Sequence, residues 1–134
     1  MLVVVLGLGG CARPLINADK ATRPYPDELH VPVSIDVQVF RKGQNIEIVN
    51  SSPTSFIDVT LWINRRYARH VDSLVAGETV RLSLWEFYDE LGEVFSAGGV
   101  FATQESEPVR LVQIEIDDET PLVGLVTIRA EDSF

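Results

Sequence analysis

The segment "VPVSIDVQVF", residues 31–40, decides the class of fold. Every second position is apolar, and the residues between are mostly polar; the apolar set is Val31, Val33, Ile35, Val37 and Val39. Because successive side chains of a strand point to opposite faces, this period of two predicts a half-buried β-strand. "RKGQ", residues 41–44, follows as a turn in which Gly43 can take a positive φ.

Alternating apolar segments recur along the rest of the chain. They predict further strands over 45–49, 56–63, 67–71, 80–84, 109–116 and 122–128. In the segment 56–63, the alternation places Ile57, Val59, Leu61 and Ile63 on one face. The connection 64–66 is predicted to be a tight hairpin turn, since Asn64 tolerates the left-handed conformation.

One segment departs from this pattern. Trp85, Tyr88 and Leu91 are spaced three residues apart, which predicts one short helical turn near 85–91 that ends at Gly92.

About seven short strands joined by polar loops indicate an all-β protein. The expected architecture is an antiparallel β-sandwich of immunoglobulin-like or fibronectin-III-like type over residues 31–134, and the alternative is a small β-barrel. The last strand, 122–128, is apolar on both faces, which favours a central strand or one covered by the segment before residue 31.

Composition bounds the function. The chain has 134 residues, enough for one domain with a real core, and 46% are hydrophobic. A net charge of −9 argues against a nucleic-acid partner, which would require a basic face. The single cysteine, Cys11, excludes an internal disulfide and a multi-cysteine zinc site.

The N-terminus carries a candidate processing motif. An apolar run from Leu2 to Leu8 precedes Gly9, Gly10 and Cys11. The segment Leu8-Gly9-Gly10-Cys11 resembles the lipobox of bacterial lipoproteins, although no Lys or Arg precedes the apolar run. The "WIN…Y" hairpin and the "LVAGE" turn are loosely similar to those of small uncharacterised envelope lipoproteins with an Ig-like domain.

The lipoprotein resemblance implies a cellular location. It makes residues 1–10 a signal peptide and Cys11 the lipidated residue, which would hold the protein on a membrane. Ala12 replaces the Asp that retains enteric lipoproteins in the inner membrane, which favours the outer membrane of the cell envelope. The Pro-containing segment 11–30 is expected to be a flexible tether, or else a segment packed on the domain through Tyr25 and Leu29.

The same glycines permit two other interpretations. Residues 7–12 fit the G-x-G-x-x-[GA] turn of dinucleotide-binding domains, and Asp27 has the spacing of the ribose-binding acid. Pro14 opposes this reading, because it would interrupt the helix on which the pyrophosphate sits. The remaining alternative is a first β-strand that ends in a glycine-rich turn.

The densest basic stretch is "RRYARH", residues 65–70. At a hairpin tip its cations and nearby aromatic rings would suit a carboxylate-rich protein partner; the candidate partner-binding residues are Trp62, Arg65, Arg66, Tyr67 and Arg69. The alternative is pairing with the protein's own acids, such as Asp58 or Asp72.

No residues are assigned to catalysis, to a metal or to a cofactor. His30 and His70 are the only imidazoles, and no nucleophile motif accompanies them. Two groups of acids lie at 86–93 and 115–119, but neither has a calcium-loop spacing, so solvated acidic loops are expected. The sequence therefore predicts a non-enzymatic binding or scaffolding module of the envelope, or an accessory subunit of an envelope or secretion assembly.

Overall fold

A computed structural model describes residues 16–99 and 105–128. Within these ranges the chain forms seven strands: β1 (Ser34–Lys42), β2 (Asn45–Asn50), β3 (Phe56–Ile63), β4 (Tyr67–Leu74), β5 (Thr79–Ser83), β6 (Val112–Glu115) and β7 (Val123–Ile128). The helical segments described are three 3-10 turns at Ala18–Lys20, Asp27–Leu29 and Leu84–Glu86. The all-β class is confirmed.

The strands form one seven-stranded sheet in the order β4-β3-β6-β7-β1-β2-β5. Neighbours are antiparallel except β1 and β7, which run parallel with a register shift between Ser34 and Gln38. The expectation of a purely antiparallel arrangement is therefore wrong, and the sheet is mixed. Five other strands separate β1 from β7 in the chain, so no hairpin fixes their relative direction.

Both ends of the sheet contribute to a single core. Val37 and Ile48 from one half are packed in the same hydrophobic cluster as Leu61, Val71 and Ile114 from the other. A sheet that buries one face of all its strands in one cluster must curve around that cluster. The result is a nearly closed, barrel-like arrangement with β4 and β5 at its two edges.

The predicted face of β3 is wrong at one residue. Val59, Leu61 and Ile63 are buried, but Ile57 is 62% exposed while Phe56 is buried. Asp58, which lies between Ile57 and Val59, has a φ of 58°, in the left-handed region. This residue reverses the alternation, because a left-handed residue turns the following side chains to the other face.

The predicted helical turn near 85–91 is shorter than expected and ends earlier. It is the 3-10 turn Leu84–Glu86, whose first turn is capped by the Ser83 hydroxyl accepting from the Trp85 N–H. The chain then reverses in a tight turn in which Tyr88 bridges Val94. Gly92 has φ of 91° within that turn, so it serves the reversal and does not cap a helix.

Residues 16–30 lie against the β-domain, which is the alternative that the sequence left open for the predicted tether. The Thr22 N–H donates to the Asp89 carbonyl, and the Leu122 N–H donates to the Leu29 carbonyl. Tyr25, Leu29 and Leu122 cover Trp62 on the sheet face opposite the main core. The described residues before the predicted boundary at residue 31 are therefore packed on the β-domain.

Candidate functional site

The β3–β4 hairpin carries the predicted partner-binding residues. Asn64 and Arg65 have φ of 55° and 59°, as the central residues of a type I′ turn do. The Asn64 Oδ1 accepts from the backbone N–H groups of Arg110 and Leu111 at 2.8 and 3.1 Å. The tight turn predicted at 64–66 is confirmed. The Asn64 side chain also connects the hairpin to the segment before β6.

The two aromatic candidates are not available to a partner. Trp62 is fully buried, and its indole N–H donates to Glu115 Oε1 at 2.7 Å. Tyr67 is 2% exposed and packs edge-on against Phe95 at 5.2 Å between ring centroids. Their expected role as exposed anchors is therefore wrong, because residues 16–30 cover Trp62 and the inner face of β4 buries Tyr67.

The buried phenol of Tyr67 has a charged neighbour. Its hydroxyl donates to Glu107 Oε1 at 3.0 Å. Burial, followed by the negative charge of Glu107, raises the Tyr67 pKa above its ordinary value. The phenol thus stays neutral and acts as a structural hydrogen-bond donor.

Two of the hairpin arginines are paired with the protein's own carboxylates. Arg66 contacts Asp89 at 2.9 Å and Glu93 at 2.8 Å, and Arg69 contacts Glu86 at 2.8 Å. Internal pairing was the expected alternative, but the acids differ from those named: Asp58 and Asp72 both contact His70 instead. The acids that pair with Arg66 and Arg69 all lie on the 84–94 segment, which the fold brings beside β4.

Asp89 organises the turn that faces Arg66. Its Oδ1 accepts from the backbone N–H groups of Leu91 and Glu93 at 2.9 and 2.8 Å. Burial alone would raise the Asp89 pKa, but the Glu93 N–H, Arg66 and the Leu91 N–H together hold that pKa below its ordinary value. The acids of 86–93 are therefore used in turn formation and ion pairing.

Arg65 is the exposed cation at the hairpin tip. Its Nη2 lies 3.1 Å from His30 Nε2, and His30 Nδ1 lies 3.0 Å from the Tyr25 hydroxyl oxygen. Since guanidinium only donates, His30 Nε2 accepts from Arg65, and the Nδ1–H of His30 donates to the Tyr25 hydroxyl oxygen. Tyr25 joins the same network by donating to Gln113 Oε1 at 2.7 Å.

The acidic loops show no metal centre in the part of the chain that the structure describes, where no group of three or more His, Cys, Asp or Glu side chains is placed to hold an ion. In the 115–119 loop, Asp117 Oδ1 accepts from the N–H groups of Glu119 and Thr120, which lowers the Asp117 pKa. Glu115 is bound to Trp62 and pairs with Arg23 at 2.9 Å.

Several predicted features lie elsewhere. Cys11, the glycines Gly7, Gly9 and Gly10, and the motif predicted to be a lipobox fall outside the described residues. Asp27, the candidate ribose-binding acid, is exposed at the start of a 3-10 turn. Among residues 16–99 and 105–128, no helix is long and apolar enough to cross a membrane.

A shallow apolar cleft of about 380 Å³, which was not predicted from the sequence, lies where residue 16 meets the domain. We call it the Trp85 cleft; it is lined by Ile16, Asn17, Trp85, Tyr88 and Val94. The spacing of Trp85 and Tyr88 was the one signal available, but the partner side of the cleft comes from a segment sixty-odd residues earlier.

Comparison of the chain with protein-family models, with curated proteins and with solved structures finds no match.

Proposed function

We propose that this protein is a lipid-anchored module of a bacterial cell envelope with a non-enzymatic binding or scaffolding role. Cys11 carries the lipid, residues 1–10 are the signal peptide, and the domain faces the periplasm or the cell surface from the outer membrane. The observation that carries the proposal is the motif Leu8-Gly9-Gly10-Cys11 after an apolar run, with the only cysteine of the chain at the position that the lipid requires.

The strand order supports an immunoglobulin-like or fibronectin-III-like assignment of the domain. The strands β1, β2 and β5 are consecutive in the sheet, as strands A, B and E are in such sandwiches. The strands β4, β3, β6 and β7 follow the order C′, C, F and G. Domains of this architecture commonly present loops and edges to partners, which agrees with a binding role.

The start of the packed chain also agrees with an anchor at Cys11. Ile16 already bridges Glu93, and the Asn17 N–H donates to the Gly92 carbonyl at 2.8 Å. Only the residues between Cys11 and Ile16 would therefore separate the lipid from the folded domain. The protein would be held close to the membrane surface and would not extend far into the envelope.

Mass spectrometry of the protein recovered from bacterial membranes tests the anchor. We expect the peptide that begins at Cys11 to carry diacylglycerol, and Cys11→Ser to move the protein from the membrane pellet to the soluble fraction. Ala12→Ser is the matched control, because it changes the adjacent residue and leaves the thiol. A soluble wild-type protein that retains residues 1–10 would refute the proposal.

A second candidate role is docking of an assembly subunit through the hairpin tip. The observation in its favour is that Arg65 is exposed on a rigid type I′ turn while Arg66 and Arg69 are engaged internally. Arg65→Glu should abolish co-purification of an acidic partner, whereas Lys42→Glu, an exposed cation on β1, should not. Equal recovery of the partner with both variants would refute docking at the tip.

A further inference from the structure

The structure points to a membrane-facing surface on this domain: we propose that the Trp85 cleft, together with Leu91 beside it, rests on the headgroup region of a zwitterionic phospholipid bilayer. This inference depends on the lipid anchor of the proposed function for its biological setting. The apolar and aromatic surface is observed in the described residues around the cleft, and the anchor at Cys11 determines which face of the domain lies near the membrane.

Two exposed apolar side chains lie around the cleft. Ile16 is 59% exposed and Leu91 is 64% exposed, on segments that lie side by side. Leu91 lies in the tight turn between the bridged residues Tyr88 and Val94. An exposed leucine in a surface turn beside an apolar cleft is a feature of surfaces that meet an apolar partner.

Two aromatic side chains give this surface an amphipathic character. Trp85 is half-buried, with its indole N–H donating to Gln44 Oε1 at 2.6 Å. Tyr88 is half-buried as well and lines the same cleft. Trp and Tyr are enriched where a protein meets the interface between membrane and water, because each ring combines an apolar body with a polar group.

Chain length decides which face of the domain meets the membrane. Ile16 is the fifth residue after Cys11, so a fully extended chain spans at most about 17 Å between them. A domain of this size is roughly 35 Å across. With Cys11 held at the bilayer surface, Ile16 lies within about 17 Å of it, and the face opposite Ile16 cannot rest on the lipid.

Charge selects the kind of lipid. The 84–94 segment that lines the cleft carries the exposed acid Glu90 and Glu86, which pairs with Arg69, and the chain has a net charge of −9. An anionic membrane attracts basic segments and repels a surface of this kind. The expected contact is therefore apolar and interfacial, with zwitterionic headgroups.

A tethering experiment tests the surface independently of lipidation in the cell. Because Cys11 is the only cysteine, the purified full-length chain can be coupled through its thiol to a maleimide lipid in phosphatidylcholine vesicles. Acyl chains brominated near the headgroup then quench nearby tryptophan. Trp62 is fully buried and serves as an internal reference, so Trp85→Phe should remove the quenchable emission.

We expect Trp85 emission to fall on brominated vesicles and the loss to be abolished by Leu91→Asp. The matched control is Ile57→Asp. Ile57 is exposed to a similar extent, 62%, but it lies away from the cleft, opposite Ser73 of β4. Ser73 lies five residues along β4 from Ala68, the partner of Tyr88, a distance of roughly 17 Å. Replacing part of the phosphatidylcholine by phosphatidylglycerol should not increase quenching.

Three results would overturn the inference. Emission from the coupled protein that equals that of uncoupled protein would show that the cleft does not meet lipid. Equal loss of quenching in Leu91→Asp and Ile57→Asp would show that contact is not confined to this surface. A concentration-dependent dimer in light scattering, abolished by Leu91→Asp, would assign the surface to a second copy. A missing lipid on Cys11 in cells would refute the proposed function alone.

Discussion

Asn64 makes the most concentrated set of contacts in the hairpin, and its replacement should be among the most destabilising single changes outside the core. Its Oδ1 accepts two backbone hydrogen bonds from Arg110 and Leu111, and its Nδ2 donates to the Pro108 carbonyl at 2.8 Å. Its backbone N–H donates to the Leu111 carbonyl and is unaffected by substitution.

The size of the effect follows from these contacts. The three side-chain hydrogen bonds to backbone groups, at about 1 kcal/mol each, give a loss of about 3 kcal/mol in the free energy of unfolding; a fourth, from Nδ2 to Glu107 Oε2, is longer at 3.3 Å and adds little. Asn64→Gly removes them but accepts the positive φ, so we expect a loss of about 2–3 kcal/mol. Asn64→Ala adds roughly 1 kcal/mol, because a Cβ is disfavoured in the left-handed region.

Urea unfolding followed by the fluorescence of buried Trp62 measures both variants. Arg110→Ala is the control, because Arg110 contributes its backbone N–H and not its side chain, and it should change stability by less than about 0.5 kcal/mol. If Asn64→Gly unfolds at the wild-type urea concentration, the side chain does not hold the 107–111 segment. If Asn64→Ala and Asn64→Gly are equal, the left-handed backbone contributes nothing.

Three further changes are predicted. Arg65→Gly should be more stable than Arg65→Ala by about 1 kcal/mol in thermal unfolding, since both lose the side chain and only glycine suits the φ of 59°; equal midpoints would contradict this. Asp89→Asn should destabilise the protein at pH 7, and because the folded-state pKa of Asp89 is depressed, the difference from wild type should shrink as pH falls below the ordinary carboxyl range; a constant difference would refute the depressed pKa of Asp89. For Tyr67 the folded-state pKa is raised, so wild-type stability should fall as pH rises above about 10, and Tyr67→Phe should flatten that fall; an unchanged slope would place the alkaline loss elsewhere.

The local pattern of the chain was sufficient for most strands. The bounds predicted for β3 are those of the structure, and Gly43 and Asn64 take the positive φ that their turns require. Alternation and turn chemistry act between near neighbours, so a sequence states them directly. The left-handed backbone of Asp58 could not be predicted in this way, because no neighbouring residue in the chain indicates that the alternation reverses there.

The candidate site could be predicted only in part. The sequence identified a basic hairpin, but not that Arg66 and Arg69 meet acids of the 84–94 segment. It offered Trp62 and Tyr67 as exposed aromatics, while the structure buries both. Whether a half-polar strand face is covered depends on a segment distant in the chain, and side-chain alternation carries no information about that segment.

The sequence by itself determined the all-β class and most strand positions, because periodicity and turn residues are read from adjacent residues; the motif Leu8-Gly9-Gly10-Cys11, on which the proposed anchor rests, is likewise a pattern of adjacent residues. Only the tertiary structure decided that β1 and β7 pair in parallel, that residues 16–30 pack over Trp62, and that Ile16 meets Trp85 and Tyr88. Each of these joins parts of the chain far apart in sequence, where loop closure and burial in a shared core choose the partner.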